Sequence, residues 1–329
     1  MDVKILRESE IRECVGMSEE AVEAVALGFT RLAEGKVSLP PVIRVDVESR
    51  HGEVDVKTAY IEGLDSFAIK VASGFLDNPA IGLPYGSGMM VVMSARTGFL
   101  EAVLLDNGFL TDLRTGIAGA IAAKYLAPSR IETAGVIGSG MQARYQIRGL
   151  KMMRPFRRLL VYGIDPDGVA RYTAEMTKEL GVEVVAAASP EEVVRQSGFV
   201  VTTTPSREPY LRAGWLHPGL HITAMGADSE HKQELSADVV GRADRLACDS
   251  KTQCLRLGEL HHALQAGIIS QEADIIELGE LTGGQKSGRK SDDEITVCDL
   301  TGVGVQDTAI AVLALQKALA KGLGTSLTV

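Results

Sequence analysis

The sequence predicts an α/β protein with two domains, one of which is built on a doubly wound parallel sheet. The segment GVIGSGMQA at residues 135–143 has the pattern of a buried strand, a glycine turn and the start of a helix. Strands and helices then alternate from residue 131 to about residue 303. Such alternation is typical of a parallel sheet with helices on both faces. The length of 329 residues accommodates two domains with separate cores.

The first domain is predicted to span residues 1–127 as an α+β unit. A helix follows Ser18, and five strands of alternating or apolar character come next, at 42–47, 53–60, 67–72, 88–94 and 100–106. Short consecutive strands joined by glycine-rich turns favour an antiparallel or mixed sheet. Thr111 is predicted to cap the next helix, which ends before Pro128.

The second domain is predicted to span residues 128–304, and the apolar-faced C-terminal helix, within 305–329, is expected to pack back on the first domain. The strand-rich first domain carries apolar alternation at 88–93 with little charge. An exposed edge or face of that composition is normally covered, so we expect a symmetric partner and hence a homodimer at least.

Composition excludes several classes of function. The formal net charge of −9 leaves no basic surplus for a nucleic-acid backbone. The sequence contains neither an apolar run of about 18 residues nor a signal-peptide pattern at the N-terminus, so we expect a cytoplasmic protein that does not enter a membrane. The four cysteines form no Cys-x-x-Cys pair, and neither disulfides nor a metal site is expected.

The glycine turn is a candidate site for a dinucleotide. Gly138 permits a tight turn, Gly140 lets a pyrophosphate approach the backbone, and Ala143 lets the helix pack closely on its strand. The phosphates would lie on the free N–H groups at the start of the helix, among Ser139, Met141 and Gln142. The alternative is an ordinary strand-to-helix turn that binds no ligand. The surrounding βαβ pattern favours the nucleotide site and therefore a Rossmann-type domain.

Three segments together resemble the ornithine cyclodeaminase/mu-crystallin family. They are LTDLRTGIAGA at 110–120, GVIGSGMQARYQ at 135–146 and TAMGADSEHKQEL at 223–235. The segments GEVDVKTAY at 52–60 and GVQDTAIA at 304–311 are similar to those of the ectoine-utilisation cyclodeaminase-like branch. The resemblance covers nearly the whole chain. It implies a Rossmann domain beside a sheet domain that dimerises.

The family's enzymes resemble one another in moving hydride at the α-carbon of an amino acid. The resemblance implies that Arg44, Lys70 and Arg114 bind the α-carboxylate, and that Asp228 and Lys70 are the catalytic residues, with Asp228 stabilising an iminium. Each cation also has a plainer interpretation. Arg114 would be a surface arginine, Lys70 an edge-strand lysine and Arg44 half of a cross-strand salt bridge. For Asp228 the plainer interpretation is a turn-capping aspartate.

The residues expected to select the substrate lie at two positions on one face of a strand. Asp55 matches a family glutamate that recognises the distal amine of ornithine, and its reach is one methylene shorter. Lys57 replaces a methionine that is usual in the family. It either neutralises Asp55 or binds a second carboxylate, so ornithine itself is in doubt.

The cofactor is expected to be NAD(H), with NADP(H) as the alternative. Gly163 stands where an acid would bind the adenosine ribose, no arginine replaces it, and Asp165 nearby would repel a 2′-phosphate. The remaining nucleotide contacts that the resemblance implies are Thr203, Thr204, Met225, Val303 and Gly304.

The resemblance therefore implies an NAD(P)-dependent enzyme, either a ketimine reductase or an amino-acid dehydrogenase. A cyclodeaminase, which returns its hydride and expels ammonia, is the first alternative. A nucleotide-dependent binding protein like mu-crystallin is the second, and retention of Arg44, Lys70, Arg114 and Asp228 argues against it.

Overall fold

The computed structural model describes residues 2–328, and the chain forms two compact units. The first contains the chain up to Arg114 and again from Val303, and the second runs from Thr115 to Gly302. The sequence boundary was placed at residues 127 and 128, where a helix ends. The structure divides the chain inside that helix instead, because a continuous helix can supply residues to the cores of two units.

The chain up to the end of this shared helix contains these elements: β1 (Asp2–Arg7), α1 (Glu8–Cys14), α2 (Glu19–Ala33), β2 (Val37–Ser38), β3 (Ile43–Val47), β4 (Gly52–Ile61), β5 (Ser66–Phe75), β6 (Gly86–Ser94), β7 (Leu100–Leu105) and α3 (Phe109–Leu126). The shared helix α3 begins two residues before the predicted cap, Thr111. Asp106 caps it instead, since its Oδ2 accepts a hydrogen bond from the N–H of Leu110 at 2.7 Å.

The rest of the chain begins with β8 (Thr133–Ile137), α4 (Met141–Met153), β9 (Arg158–Tyr162), α5 (Pro166–Leu180), β10 (Glu183–Ala186), α6 (Pro190–Gln196), β11 (Phe199–Thr202) and β12 (His221–Ala224). It continues with α7 (Ala237–Gly241), β13 (Arg245–Cys248), α8 (Lys251–Leu257), α9 (Glu259–Gln265), β14 (Ile275–Glu277), α10 (Leu278–Thr282), β15 (Thr296–Asp299), α11 (Gly304–Ala320) and β16 (Thr325–Thr328). Within residues 2–328, no helix has the length and apolar character needed to cross a membrane.

The sheet of the first unit is mixed. Its order is β16-β1-β7-β6-β5-β4-β2, with β3 also paired to β4; β1 and β7 run parallel and the other pairs are antiparallel. Helix α11 packs on β4, β5 and α2. It covers the sheet face that carries the buried residues Ala59, Ala68 and Met90, and so forms the core of this unit.

The opposite face of that sheet is largely apolar and exposed. The strand register places Ile43, Val56, Val71 and Met89 in one row across β3, β4, β5 and β6. Ile43 is 63% exposed and Met89 is 38% exposed, and Leu105 on β7 is also exposed. Contiguous apolar surface of this kind is unusual in a monomer.

The second unit is a parallel sheet of order β10-β9-β8-β11-β12-β15-β13-β14, so the fold class is confirmed. The chain order reverses between β8 and β11. Doubly wound sheets bind ligands at such a switch point, beyond the carboxyl ends of the strands. Buried aliphatic side chains fill its core, including Leu160, Val200, Ile222 and Val297.

Candidate active site

The glycine turn after β8 lies at the switch point of the second unit. Gly138 has φ of 111°, a conformation that other residues rarely adopt, and its N–H donates to the carbonyl of Tyr162 at 2.8 Å. A β-carbon at position 138 would lie 2.4 Å from Oγ1 of Thr203, which follows β11. The carboxyl ends of β8 and β11 therefore meet at Gly138 and Thr203, and only glycine fits there.

The start of α4 suits a bound pyrophosphate. Gly140 is the residue before the first turn, and no side chain caps the helix, which leaves the first N–H groups for a ligand. A β-carbon on Gly140 would meet nothing within 4 Å, so the backbone is open to close approach. Met141 is exposed beside it. The residues present thus fit the phosphate end of a dinucleotide.

The ribose end of this site holds a charge pair that sequence reasoning missed. Asp165 caps α5, accepting from the N–H of Asp167 at 3.1 Å, and its Oδ2 lies 3.4 Å from Nη2 of Arg171. A β-carbon at Gly163 would crowd Val169, at 2.9 Å, so no acidic side chain fits at position 163 without movement. An arginine is therefore present near Asp165, although not at position 163. Arg171 lies six residues after Asp165, so the sequence pattern around Gly163 did not indicate it.

Asp228 lies in the loop after β12 and is half-buried. Its Oδ1 lies 2.8 Å from Nζ of Lys232, four residues further along the chain. A positive charge thus lies beside the carboxylate, and the catalytic role of Asp228 and the turn-capping alternative both stay predictions.

Glu234 organises the loops around Asp228. It was not among the site residues predicted from the sequence. Its fully buried carboxylate accepts hydrogen bonds from the N–H of Gly226 at 2.8 Å, the N–H and hydroxyl of Thr204 at 2.6 and 2.7 Å, and the hydroxyl of Thr202 at 2.6 Å. It thereby joins the loop after β11 to the loop after β12. These loops carry Thr203, Thr204, Met225 and Asp228. The segment TAMGADSEHKQEL contains Glu234, and this acidic residue between Gln233 and Leu235 was the feature from which its role could have been predicted.

A second buried acid supports Glu234. Glu259 accepts from the N–H groups of Glu234 and Leu235 at 2.8 and 3.2 Å, and burial together with nearby Asp299 raises the pKa of Glu259 well above its usual range. Burial raises the pKa of Glu234 as well. These carboxyl groups are linked through the main chain, so they fix loop geometry in a low-dielectric interior.

Two of the predicted carboxylate-binding residues lie together in the first unit. Lys70 is 2% exposed and Arg114 is 5% exposed, so Arg114 is not a surface arginine. Strand β5 lies between β4 and β6, so Lys70 is not an edge-strand lysine. Both cations contact Asp307 of α11. Nζ of Lys70 is 3.3 Å from Oδ2, and Nε of Arg114 is 2.9 Å from Oδ1.

The charge state of Lys70 is set by this surrounding. Burial, and next the Arg114 guanidinium, lower the pKa of Lys70 to about 7, and the Asp307 carboxylate opposes that shift. Lys57 lies directly opposite Lys70 in the β4–β5 register, is buried, and lowers the same pKa. A lysine that titrates near neutral pH is suited to exchange a proton as well as to bind an anion.

Arg44 forms the cross-strand salt bridge that the sequence left as its alternative. Its Nε and Nη2 lie 2.8 and 2.9 Å from the two carboxylate oxygens of Asp55, directly opposite on β4. Its Nη1 is also 3.5 Å from Glu53. Asp55 is therefore paired with Arg44. A contact of Asp55 with Lys57, and the alternative that Lys57 binds a second carboxylate, stay predictions.

Val303 and Gly304 lie at the start of α11, in the first unit and on the same helix as Asp307. The N–H of Val303 donates to Oε1 of Gln306 at 2.8 Å. A β-carbon at Gly304 would lie 2.2 Å from the carbonyl oxygen of Thr58, so glycine lets α11 approach β4. Packing of α11 thus suffices to explain Gly304, and a contact with nicotinamide stays a prediction.

The chain is similar to known proteins over nearly its whole length. Two relatives are each 48% identical over 324 residues, covering 98% of both chains: a putative dehydrogenase of Rhizobium meliloti and an uncharacterised cyclodeaminase of Sinorhizobium fredii. The Δ1-pyrroline-2-carboxylate reductase of Thermococcus litoralis, in complex with NADH and L-proline, is 32% identical with a TM-score of 0.93, over 99% of this chain and 100% of that one.

Two further solved structures are similar over their whole length. An archaeal alanine dehydrogenase dimer with bound NAD is 34% identical with a TM-score of 0.91, over 100% of this chain and 99% of that one. The iminosuccinate reductase of Paracoccus denitrificans, in complex with NAD+, is 29% identical with a TM-score of 0.90, over 100% of both chains. Residues 1–322 match the ornithine cyclodeaminase/mu-crystallin family. The resemblance seen in the sequence is confirmed, and the chain belongs to that family.

Proposed function

We propose that the protein is an NAD(H)-dependent oxidoreductase that acts at the α-carbon of an amino acid or of the corresponding ketimine. The observation that carries the proposal is the buried pair of cations, Lys70 and Arg114, which share the single carboxylate of Asp307. Buried charge is costly unless it is matched. A substrate carboxylate supplies the missing negative charge.

The glycine turn and the uncapped start of α4 support NAD(H) as the cofactor. When bound, the nicotinamide would supply or accept hydride. The chain's own residues have separate tasks. Arg114 and Lys70 orient the carboxylate, and Asp228 stabilises positive charge that develops on the substrate nitrogen, because an ionised carboxylate attracts an iminium most strongly where water is excluded. Lys70, with a pKa of about 7, can also hold or release a proton at its Nζ.

A cyclodeaminase is the second candidate, since one relative carries that name. In that reaction a distal amine of the substrate attacks the iminium and ammonia leaves. The salt bridge between Arg44 and Asp55 weighs against it, because a distal amine would have to displace a guanidinium that contacts both oxygens of Asp55.

We also propose that the protein is a cytoplasmic homodimer that closes the exposed apolar face of the first sheet. The row of Ile43, Val56, Val71 and Met89 supplies an extended hydrophobic surface. A twofold arrangement lets the same face of two copies cover each other.

A mass-spectrometric screen tests the proposed activity. Amino acids and cyclic imines are incubated with NAD+, NADH or NADPH, and ammonia release and cofactor turnover are scored separately. Stoichiometric conversion of the cofactor with a ketimine or amino acid is the expected result. Ammonia release without net cofactor turnover would identify a cyclodeaminase, and saturable nucleotide binding with no product from any substrate would identify a binding protein.

A further inference from the structure

Asp307 is the buried acid that contacts both cations, Lys70 and Arg114. It is fully buried in the first turn of α11. Nε of Arg114 lies 2.9 Å from its Oδ1 and Nζ of Lys70 lies 3.3 Å from its Oδ2. Neither oxygen accepts a hydrogen bond from the main chain of residues 2–328, so the partners of this carboxylate are the two cations rather than the helix backbone.

Hydrogen bonds made by the neighbouring residues Gln306 and Thr308 fix the position of Asp307. On one side Gln306 closes a capping box with Val303 and donates to the carbonyl of Arg114 at 3.3 Å. On the other side the Thr308 hydroxyl donates to the carbonyl of Ala59 on β4 at 2.7 Å and accepts from the N–H of Ala68 on β5 at 3.1 Å. The position of the carboxylate is fixed relative to the strand that carries Lys70.

We propose that Asp307 is a positioning residue that holds the Lys70 ammonium and the Arg114 guanidinium in their charged, converging arrangement for one substrate carboxylate. This inference rests on the proposed function. Asp307 contacts Nε of Arg114, which is compatible with a substrate carboxylate binding at Nη1 and Nη2 as a fork. Lys70 and Arg114 together carry more positive charge than Asp307 neutralises, so the pair still attracts a substrate carboxylate.

The charged groups around Lys70 give the sign of the expected effect. Arg114 from α3 and Lys57 from β4 favour the neutral amine, and Asp307 from α11 is the acid that favours the ammonium; Met90, its register partner on β6, is uncharged. Replacing Asp307 with a neutral residue removes the one favourable charge. The pKa of Lys70 should then fall below its value of about 7, and Lys70 should lose its proton at a lower pH.

The test is the titration of Lys70 in the full-length protein without substrate, followed by NMR of selectively ¹³C-labelled lysine and assigned with Lys70→Met. In Asp307→Asn, which keeps the side-chain shape, the midpoint should fall by at least about one pH unit. Thr308→Val is the matched control from the same helical turn. It loses the two bonds to β4 and β5 and keeps the Asp307 carboxylate, so it should lower the melting temperature and shift the Lys70 midpoint much less than Asp307→Asn does. An unaltered midpoint in folded Asp307→Asn overturns the proposal.

A stability measurement covers the case in which Asp307→Asn does not fold. The double variant Lys70→Met/Asp307→Asn has the same net charge as the wild type at this position. It should fold where the single variant does not, whereas failure of both would assign Asp307 to folding and overturn the proposal. These measurements use no substrate. A substrate screen that finds no turnover would therefore contradict the proposed function and leave the result on the Lys70 titration unchanged.

Discussion

Arg44 and Asp55 lie directly opposite each other on adjacent antiparallel strands, and the guanidinium contacts both carboxylate oxygens, at 2.8 and 2.9 Å. The pair is partly buried, with Glu53 as a third charge beside Arg44. The acid that the family resemblance would assign to a distal amine is thus already matched by a cation of the same sheet.

The first prediction concerns substrate choice. A diamino acid would have to break the Arg44–Asp55 fork, and charge-assisted hydrogen bonds contribute about 1.5–3 kcal/mol each. We expect kcat/KM for L-ornithine to be at least about tenfold below that for the best monoamino acid or cyclic imine. Steady-state kinetics decide this. Equal or higher kcat/KM for L-ornithine, with ammonia release, would contradict it.

The second prediction concerns Asp228. Asp228→Asn removes a charge needed chiefly in the transition state, so kcat should fall by about 10²-fold or more while the protein stays folded and binds NADH. The change also releases Lys232, whose Nζ lies 2.8 Å from Oδ1 of Asp228. Lys232→Met is therefore the matched control, because it breaks the ion pair and keeps the carboxylate, and it should lower kcat much less. A near-normal kcat in Asp228→Asn would leave Asp228 as a turn residue.

The third prediction concerns Arg114. The substrate carboxylate is held equally before and during hydride transfer, so Arg114→Ala should raise KM more than it lowers kcat. The same change removes one partner of a buried ion pair, which costs about 3 kcal/mol of stability or more. Arg114→Lys separates the two effects, since it keeps the charge and loses the fork. If both variants lower kcat with KM unchanged, Arg114 does not bind the carboxylate.

The fourth prediction concerns the cofactor. Repulsion between Asp165 and a 2′-phosphate should make NADH bind several-fold more tightly than NADPH, a difference on the order of 1 kcal/mol. Arg171 lies 3.4 Å from Asp165 and opposes this preference. In isothermal titration, Asp165→Asn should narrow the gap and Arg171→Gln should widen it. Equal or tighter NADPH binding by the wild type would refute the assignment.

The fifth prediction concerns assembly. Light scattering at micromolar concentration should give a dimer at least. Met89→Lys places a charge in the exposed apolar row of the first sheet and should shift the protein towards monomer. Leu319→Lys is the control, because Leu319 is similarly exposed on α11, away from this face. A monomeric wild type, or equal effects of both variants, would exclude this interface.

The amino-acid sequence was sufficient to predict the two kinds of sheet and the glycine turn. Residues 53–60 alternate between polar and apolar side chains, and strands and helices alternate after residue 131. Both patterns arise because neighbouring residues are buried or exposed in a regular order, so they can be seen directly in the sequence. Gly138 was predicted from the glycine pattern after a strand, and the structure gives the reason: its positive φ and the closeness of Thr203 admit only glycine, so the constraint is visible as a residue type. The cap of α3 was misplaced, since Asp106 and Thr111 are both good caps and only the turn geometry selects between them.

The partners of the charged residues could be identified only from the folded structure. Lys70, Arg114 and Asp307 come from β5, α3 and α11, and almost two hundred residues separate Arg114 from Asp307 in the sequence. Likewise Glu234 acquires its role by accepting from Thr202, Thr204 and Gly226 of two loops. Charge and hydrogen bonding act over a few ångströms in space, so residue type can indicate that a buried cation needs an anion, and only the packing of helices on sheets shows which one it meets.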